Sequence, residues 1–317
     1  MNTNDNLAPI VLFVYNRPLH TRRTLEALLA NDLADQSKLF IFADGPKETA
    51  TNEDLIKIKG VRNIIREKKW CKSVEIIESN KNKGLGNSIF EGVTNIVNRF
   101  GSIIVLEDDL ITSKGFILYM NEALQLYKND EKVMHITGTN YSSNLQKKLP
   151  TTFFTRYIET CGWGTWQRAW NFFINQPEHL YKELERRNLF FQFDCYGTSD
   201  FKIQLINNID GTLNTWGIRW LASVFLKEGL VLQPRKSLVV NIGFDGTGDN
   251  CGVVNTQSSY WKEVAEYVKV ERIPITESKI GKKHLKEFYK SYCGKETFSI
   301  KRFLSNSFYK IIRILTN

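Results

Sequence analysis

The segment "GSIIVLEDDLITSKGF", residues 101–116, runs an apolar, β-branched stretch directly into three consecutive carboxylates, Glu107, Asp108 and Asp109. Two other apolar runs also end in groups able to act: "PIVLFVYN" leads to Asn16 and Arg17, and "KLFIFADG" to Asp44 and Gly45. Around them, helix-like segments alternate with further strand-like ones, in "TRRTLEALLAND", a polar stretch over 52–68, "SVEIIESN", "GNSIFEGVTNIVNRF", "GFILYMNEALQLYKND" and "VMHITGT". This βαβ alternation predicts an α/β chain with a mainly parallel sheet and helices on both faces. In open α/β sheets ligands sit outside the carboxyl ends of the strands, so the three polar ends are expected to converge on one site.

Adjacent carboxylates repel, and the edge of an apolar sheet adds a desolvation cost unless a cation offsets both. Hard oxygen ligands favour Mg²⁺ or Mn²⁺, which bind through one or two carboxylates plus substrate phosphates. The competing account of an isolated acidic triplet is a solvated strand end that opens a turn. No His-rich or Cys-rich cluster competes as a metal site. Arg17 or Lys83 can add positive charge near phosphates, although Arg17 before Pro18 equally suits a helix start. Gly84 and Gly86 suggest a tight turn before a helix whose amino-terminal amides face an anion.

With 317 residues, 42% hydrophobic and 24% charged, the chain suits one large globular domain or one with an elaborated C-terminal half. Its five cysteines are scattered and without C-x-x-C spacing, which argues for reduced thiols rather than a disulfide framework or a zinc knuckle. No apolar stretch reaches about eighteen residues, and "MNTNDNLAP" lacks the basic-then-apolar layout of a secretory signal, so a cytoplasmic location is expected. A net charge of +9 suits an anionic partner without choosing among a nucleotide, a phospholipid surface and nucleic acid. Nucleic-acid binding would ask for a concentrated Lys/Arg face with aromatic platforms, and none stands out.

The chain divides at the sequence level into an α/β half over 1–140, a second half with a glycine-rich loop over 141–260 and a helical extension over 261–317. In the second, "CGWGTWQRAW" carries three tryptophans and two glycines. Aromatic faces suit the C–H faces of sugar rings, so Gly162, Trp163 and Gly164 are candidates for the sugar pocket, while Trp170 is expected in the core. An amphipathic helix in "DGTLNTWGIRWLASVFLKEGLVLQP" feeds a strand, followed by the glycine-rich "NIGFDGTGDNCG", a candidate lid. In the tail, Leu304, Phe308, Ile311, Ile312 and Leu315 form one helical stripe opposite Arg302, Asn306, Lys310 and Arg313. That arrangement suits either an anionic membrane surface or docking on the protein's own core.

Taken in order, "PIVLFVYNRP", "FADGP", "NKGLGNSIFEGV", "LEDDL" and "CGWGTWQRAW" resemble the nucleotide-sugar glycosyltransferases of the GT-A fold, close to the family 2 type and more distantly N-acetylglucosaminyltransferase I. The resemblance covers roughly residues 9–250. It implies a Rossmann-like sheet plus an acceptor-side half, with a hexosyl or N-acetylhexosaminyl group passing from a nucleotide sugar, a UDP-sugar in first place, to a glycan or lipid-linked acceptor. Bacterial surface polysaccharide synthesis, at the inner face of the membrane, is the setting it implies. By the same resemblance Asp44 contacts the nucleotide base or ribose, Asp108 faces the ribose or donor sugar, and Asp109 ligates the metal. Glu107 replaces the first aspartate of the commoner D-x-D. A sugar nucleotidyltransferase shares the α/β plan but normally carries a glycine- and basic-rich loop where this chain reads "YNRPLHTRRT"; a non-catalytic, degenerate transferase is the third reading.

An inverting transfer needs a carboxylate to take the acceptor hydroxyl's proton. Relatives place an aspartate after the tryptophan equivalent to Trp216, where this chain has Gly217. The nearby acids are Asp200 and Asp210, before the helix, and Asp245 and Asp249, in the glycine-rich loop. Asp245 is the preferred base, since a lid-borne base couples donor closure to proton abstraction. Its competitor is a turn-forming Asp-Gly, and the alternative chemistry is retention, with the leaving phosphate accepting the proton.

Overall fold

The computed structural model describes residues 7–248 and 264–296. Strand β1 (Ile10–Val14) is apolar throughout because both of its faces are covered. Ile10, Leu12 and Val14 enter one hydrophobic layer, and Val11 and Phe13 the other. On its two sides lie β2 (Lys38–Ala43) and β4 (Ser102–Glu107), both parallel to it, with Phe13 level with Glu107 and Val14 level with Ala43. Strand β3 (Ser73–Glu78) flanks β2. The chain therefore builds outward from β1 through β2 to β3 and then returns to β4 on the other side. This reversal opens a crevice at the carboxyl ends of neighbouring strands.

Beyond β4 the eight-stranded sheet continues with β8 (Trp163–Trp166), β6 (Val133–Thr137), β9 (Leu230–Pro234) and β7 (Thr152–Thr155). Strand β8 is antiparallel to both neighbours and β7 is antiparallel to β9, so the sheet is mainly parallel. One sheet thus runs across the 140/141 boundary. Helices α1 (Pro18–Leu29), α2 (Asn52–Ile64) and α4 (Phe116–Leu126) cover one face through Leu25, Val61 and Met120. Helix α3 (Leu85–Phe100) covers the other through Ile89, Val93 and Val97. The same hydrophobic layer takes in residues of the short α5 (Gln167–Trp170), α6 (Pro177–Arg186), α7 (Phe190–Phe193), α8 (Phe201–Ile209), α9 (Trp216–Leu226) and α10 (Lys279–Glu296).

Helix α9 departs from the amphipathic expectation: every residue of Trp216–Leu226 except Gly217 is buried. Its polar members are satisfied internally. Arg219 donates to the Thr215 carbonyl, the Asn175 amide oxygen at 2.9 Å and the Asn214 amide oxygen at 3.0 Å. Cys71, Cys161 and Cys195 are free thiols. Among the described residues no helix is long and apolar enough to cross a membrane. The amphipathic tail and the end of the glycine-rich loop from Asp249 on lie outside the described residues.

Candidate active site

The ends of β1, β2 and β4 open onto a cavity of about 670 Å³, lined by Asn16, Arg17, Asp44, Gly84 and Glu107 to Asp109 on the strand-end side. Across from them the lining includes Tyr141, Glu159, Asp200, Trp216 and Tyr289. A cavity of this size suits a nucleotide sugar.

The acidic turn is held from both sides. The Thr24 hydroxyl of α1 donates to the Asp108 carbonyl at 2.8 Å and accepts from the Leu110 amide at 3.1 Å. On the other side β5 (Leu110–Thr112) pairs antiparallel with β10 (Val239–Asn241), and the Ile242 amide donates to the Asp109 carbonyl at 2.8 Å. This small sheet carries the start of the glycine-rich loop across the carboxylates. A Cβ at Gly243 would overlap Asp109 Oδ2 and come within 3.1 Å of Arg17 Nη1. Gly243→Ala is therefore expected to leave the melting temperature within a few degrees of wild type. It should slow turnover by roughly 10²-fold, the scale of a misplacement of about 1 Å at a reacting centre. Thermal melts beside steady-state rates check this.

One nitrogen, Arg17 Nη2, bonds both Asp108 Oδ1 and Asp109 Oδ2, the latter at 3.1 Å. The cation that the buried triplet demands is thus partly supplied by the protein itself. Burial works against the Arg17 charge, but Asp108 and Asp109 outweigh it and hold the guanidinium firmly protonated. Burial raises Asp108 to about 6, with Arg17 opposing and Asp109 adding to the rise. Burial, then Asp109 and Asp108, push Glu107 up to about 8. Both causes favour the neutral form of Glu107, which relieves the repulsion within the triplet. Among the described residues no cluster of three or more His, Cys, Asp or Glu could hold a metal ion by itself; Asp108 and Asp109, two hard oxygen donors sharing one Arg17 nitrogen, are the residues that would hold a divalent cation.

Asp44 acts on the backbone. Its carboxylate accepts from the amides of Gly45 at 2.8 Å, Lys83 at 2.9 Å and Gly84 at 3.0 Å, tying the turn before α3 to the end of β2. The chains approach so closely that a Cβ at Gly45 would come within 2.6 Å of the Lys81 backbone. Gly84, with φ +74°, lies just before α3 and directs the helix start towards the cavity.

Several sequence-predicted residues lie elsewhere. The Lys83 ammonium pairs with Glu91 at 2.6 Å on the surface, so only its amide serves the site. Trp163 is wholly buried, stacked on Trp216 at 4.9 Å and His135 at 5.2 Å. Gly164 sits in β8, where a Cβ would meet the Ile103 carbonyl at 2.8 Å. At Gly162, with φ +69°, a Cβ would meet Val239 at 2.8 Å. These three pack the sheet and do not line the cavity. Asp210 is exposed and caps its own turn through the Thr212 amide and hydroxyl. Asp245 does the same with Thr247 and pairs with His20 at 3.1 Å, while its neighbours Phe244 and Thr247 reach the cavity wall. Of the proposed bases among the described residues, only Asp200 lines the cavity, accepting from Gln204 at 2.9 Å.

Sequence reasoning missed Glu159, which is 7% exposed and accepts from Tyr141 and Tyr289. The available signal was a lone acid in "FFTRYIETCGW". Its partner Tyr289 is 130 residues away and carries no local pattern.

No protein-family model and no curated protein sequence matches the chain. Solved structures that align with it include UDP-glucose pyrophosphorylase complexed with UDP-glucose, at 12% identity over 72% of this chain and 90% of that one, with a TM-score of 0.34. Mouse xyloside xylosyltransferase 1 in its apo form aligns at 11% identity over 83% and 96%, with a TM-score of 0.38. An active-site mutant of LgtC aligns at 7% identity over 68% and 70%, with a TM-score of 0.36.

Proposed function

We propose that this protein is a metal-dependent glycosyltransferase that moves a hexosyl or N-acetylhexosaminyl group from a nucleotide sugar to a glycan or lipid-linked acceptor. The observation that carries the reading is the meeting of Asn16 and Arg17, Asp44 and the acidic turn at three adjoining strand ends around one cavity. Asp44, Asn16 and the start of α3 take the nucleoside. Asp108 and Asp109 hold Mn²⁺ or Mg²⁺, and Arg17 turns from them to the diphosphate. When bound, the metal neutralises charge that develops on the leaving diphosphate. The aromatic far wall, with Tyr141, Trp216 and Tyr289, receives the sugar and acceptor.

The test is release of nucleoside diphosphate from a panel of UDP-, GDP- and dTDP-sugars, with and without Mn²⁺ or Mg²⁺. Metal-stimulated release from one class of donor supports the reading. Pyrophosphate formation instead would mark a nucleotidyltransferase, and the absence of both nucleotide binding and turnover would mark a non-catalytic protein.

The two-faced tail is proposed to seat the enzyme on an anionic inner membrane surface, where a lipid-linked acceptor resides. Truncation after about residue 297 is expected to abolish sedimentation with anionic liposomes while leaving donor hydrolysis nearly intact. A truncated protein that aggregates or loses its thermal transition would show the tail to be part of the core.

A further inference from the structure

We propose that Glu159 is the base that takes the proton of the incoming acceptor hydroxyl, positioned for that task by the phenols of Tyr141 and Tyr289. This rests on the transferase reading above and adds to it the identity of the base.

The geometry is that of a buried carboxylate held at both ends. Tyr141 donates to Glu159 Oε2 at 2.7 Å and Tyr289 donates to Oε1 at 2.8 Å, and all three residues line the cavity. Each carboxylate oxygen has two acceptor sites, so one phenol apiece leaves each oxygen able to accept an acceptor hydroxyl. Among the described residues Glu159 makes no ion pair, unlike Asp108 and Asp109.

The groups facing it are neutral. Burial and the Glu159 charge raise both Tyr141 and Tyr289 well above the ordinary phenol range. The Cys161 thiol is also raised, by burial first. His135, driven down to about 3 by burial, donates from Nε2 to the Glu159 backbone carbonyl and accepts at Nδ1 from Trp220, which defines a neutral imidazole. In that uncharged wall burial lifts Glu159 to about 7, with the two phenols opposing the rise. A base with this pKa is ionised when needed and still basic enough to take a proton at neutral pH.

Its relation to the acidic turn runs through Cys161, two residues on. Cys161 lines the same cavity as Glu107, Asp108 and Asp109, and its sulfur accepts from Asn241 of β10, the strand paired with the one that follows the acidic turn, so the carboxylate and the acidic turn share one cavity. The acceptor hydroxyl gives its proton to Glu159 as its oxygen bonds the anomeric carbon. The bond from that carbon to the diphosphate oxygen breaks, its electron pair leaves with the nucleoside diphosphate, and the anomeric configuration inverts.

A purely structural tie between α10 and the segment joining β7 to β8 does not require a charge. Glutamine has the same shape, with a carbonyl oxygen that accepts from one phenol and an NH₂ that donates to the oxygen of the other, without the cost of a buried ion. Glu159→Gln therefore separates the two roles. Its readouts are nucleoside diphosphate release from the UDP-, GDP- and dTDP-sugar panel, with water and then p-nitrophenyl glycosides as acceptors, donor affinity, and the pH profile. The proposal expects transfer to fall on the order of 10²-fold or more with donor affinity within about twofold of wild type. It also expects the wild-type loss of rate below about pH 7 to vanish from the variant. Tyr141→Phe, which removes a bond to the ionised form, should move that loss to higher pH.

The folded-state pKa of Glu159 lies above its ordinary 4.5, so the wild-type carboxyl costs stability as pH rises from there through about 7. At pH 8 the glutamine variant should consequently melt no lower than wild type. Unchanged transfer in Glu159→Gln, or a slowed enzyme that keeps the same acidic limb, would overturn the assignment while leaving the transferase reading intact. A wild-type protein that neither binds nor turns over any nucleotide sugar would overturn both.

Discussion

Asp109→Ala is expected to abolish metal-stimulated turnover while the protein remains folded. Asp109 is 5% exposed at the end of β4, and its carboxylate shares one Arg17 nitrogen with Asp108. Its backbone carbonyl, which receives the Ile242 amide, is untouched by the substitution, so the β5–β10 pairing survives. Removing it takes one charge from a crowded acidic turn and leaves Arg17 paired with Asp108. The melting temperature should therefore hold or rise slightly. On the proposed reading the loss falls on the leaving group, where a metal held by Asp108 and Asp109 would supply several kcal/mol of charge stabilisation, or roughly 10³-fold or more in rate. Donor binding measured with and without Mn²⁺, alongside turnover, tests this. A variant that kept near wild-type, metal-stimulated transfer would remove Asp109 from the site.

Trp163→Ala is expected to act on stability instead. A pocket residue would shift KM or donor affinity and leave the melt alone, whereas Trp163 is wholly buried between Trp216, His135 and Trp170. Truncating it leaves a large void where β8 meets α9, at a cost of about 3–5 kcal/mol. That is a large share of the stability of an ordinary domain. Among the described residues its buried indole N–H has no hydrogen-bond partner, so Trp163→Phe removes an unmet donor and should recover much of the loss. Chemical denaturation of the three proteins decides the matter. Near wild-type stability in Trp163→Ala, with weakened donor binding, would return the residue to the sugar pocket.

The same tryptophan marks where local pattern stopped being informative. Apolar runs such as Ile10–Val14 and Ser102–Glu107 declare themselves as covered strands, and polar groups at their ends declare themselves as site residues, because both signals lie within a few residues. The sequence by itself therefore determined the parallel half of the sheet and the meeting of Asn16, Arg17, Asp44 and the acidic triplet. It also indicated that the triplet needs a cation, since that follows from charge and burial alone. Only the tertiary structure decided which aromatic residues face the cavity, because Trp163 and Trp216 look alike in a motif and differ only in what packs over them. It alone showed Arg17 on both aspartates across 91 and 92 residues, and Asp245 turned away to cap its own loop. Glu159 belongs to this second group. Its environment is made by a tyrosine 18 residues upstream in number and another 130 downstream in number, and the desolvation that lifts a carboxyl towards neutrality exists only after the chain has folded around it.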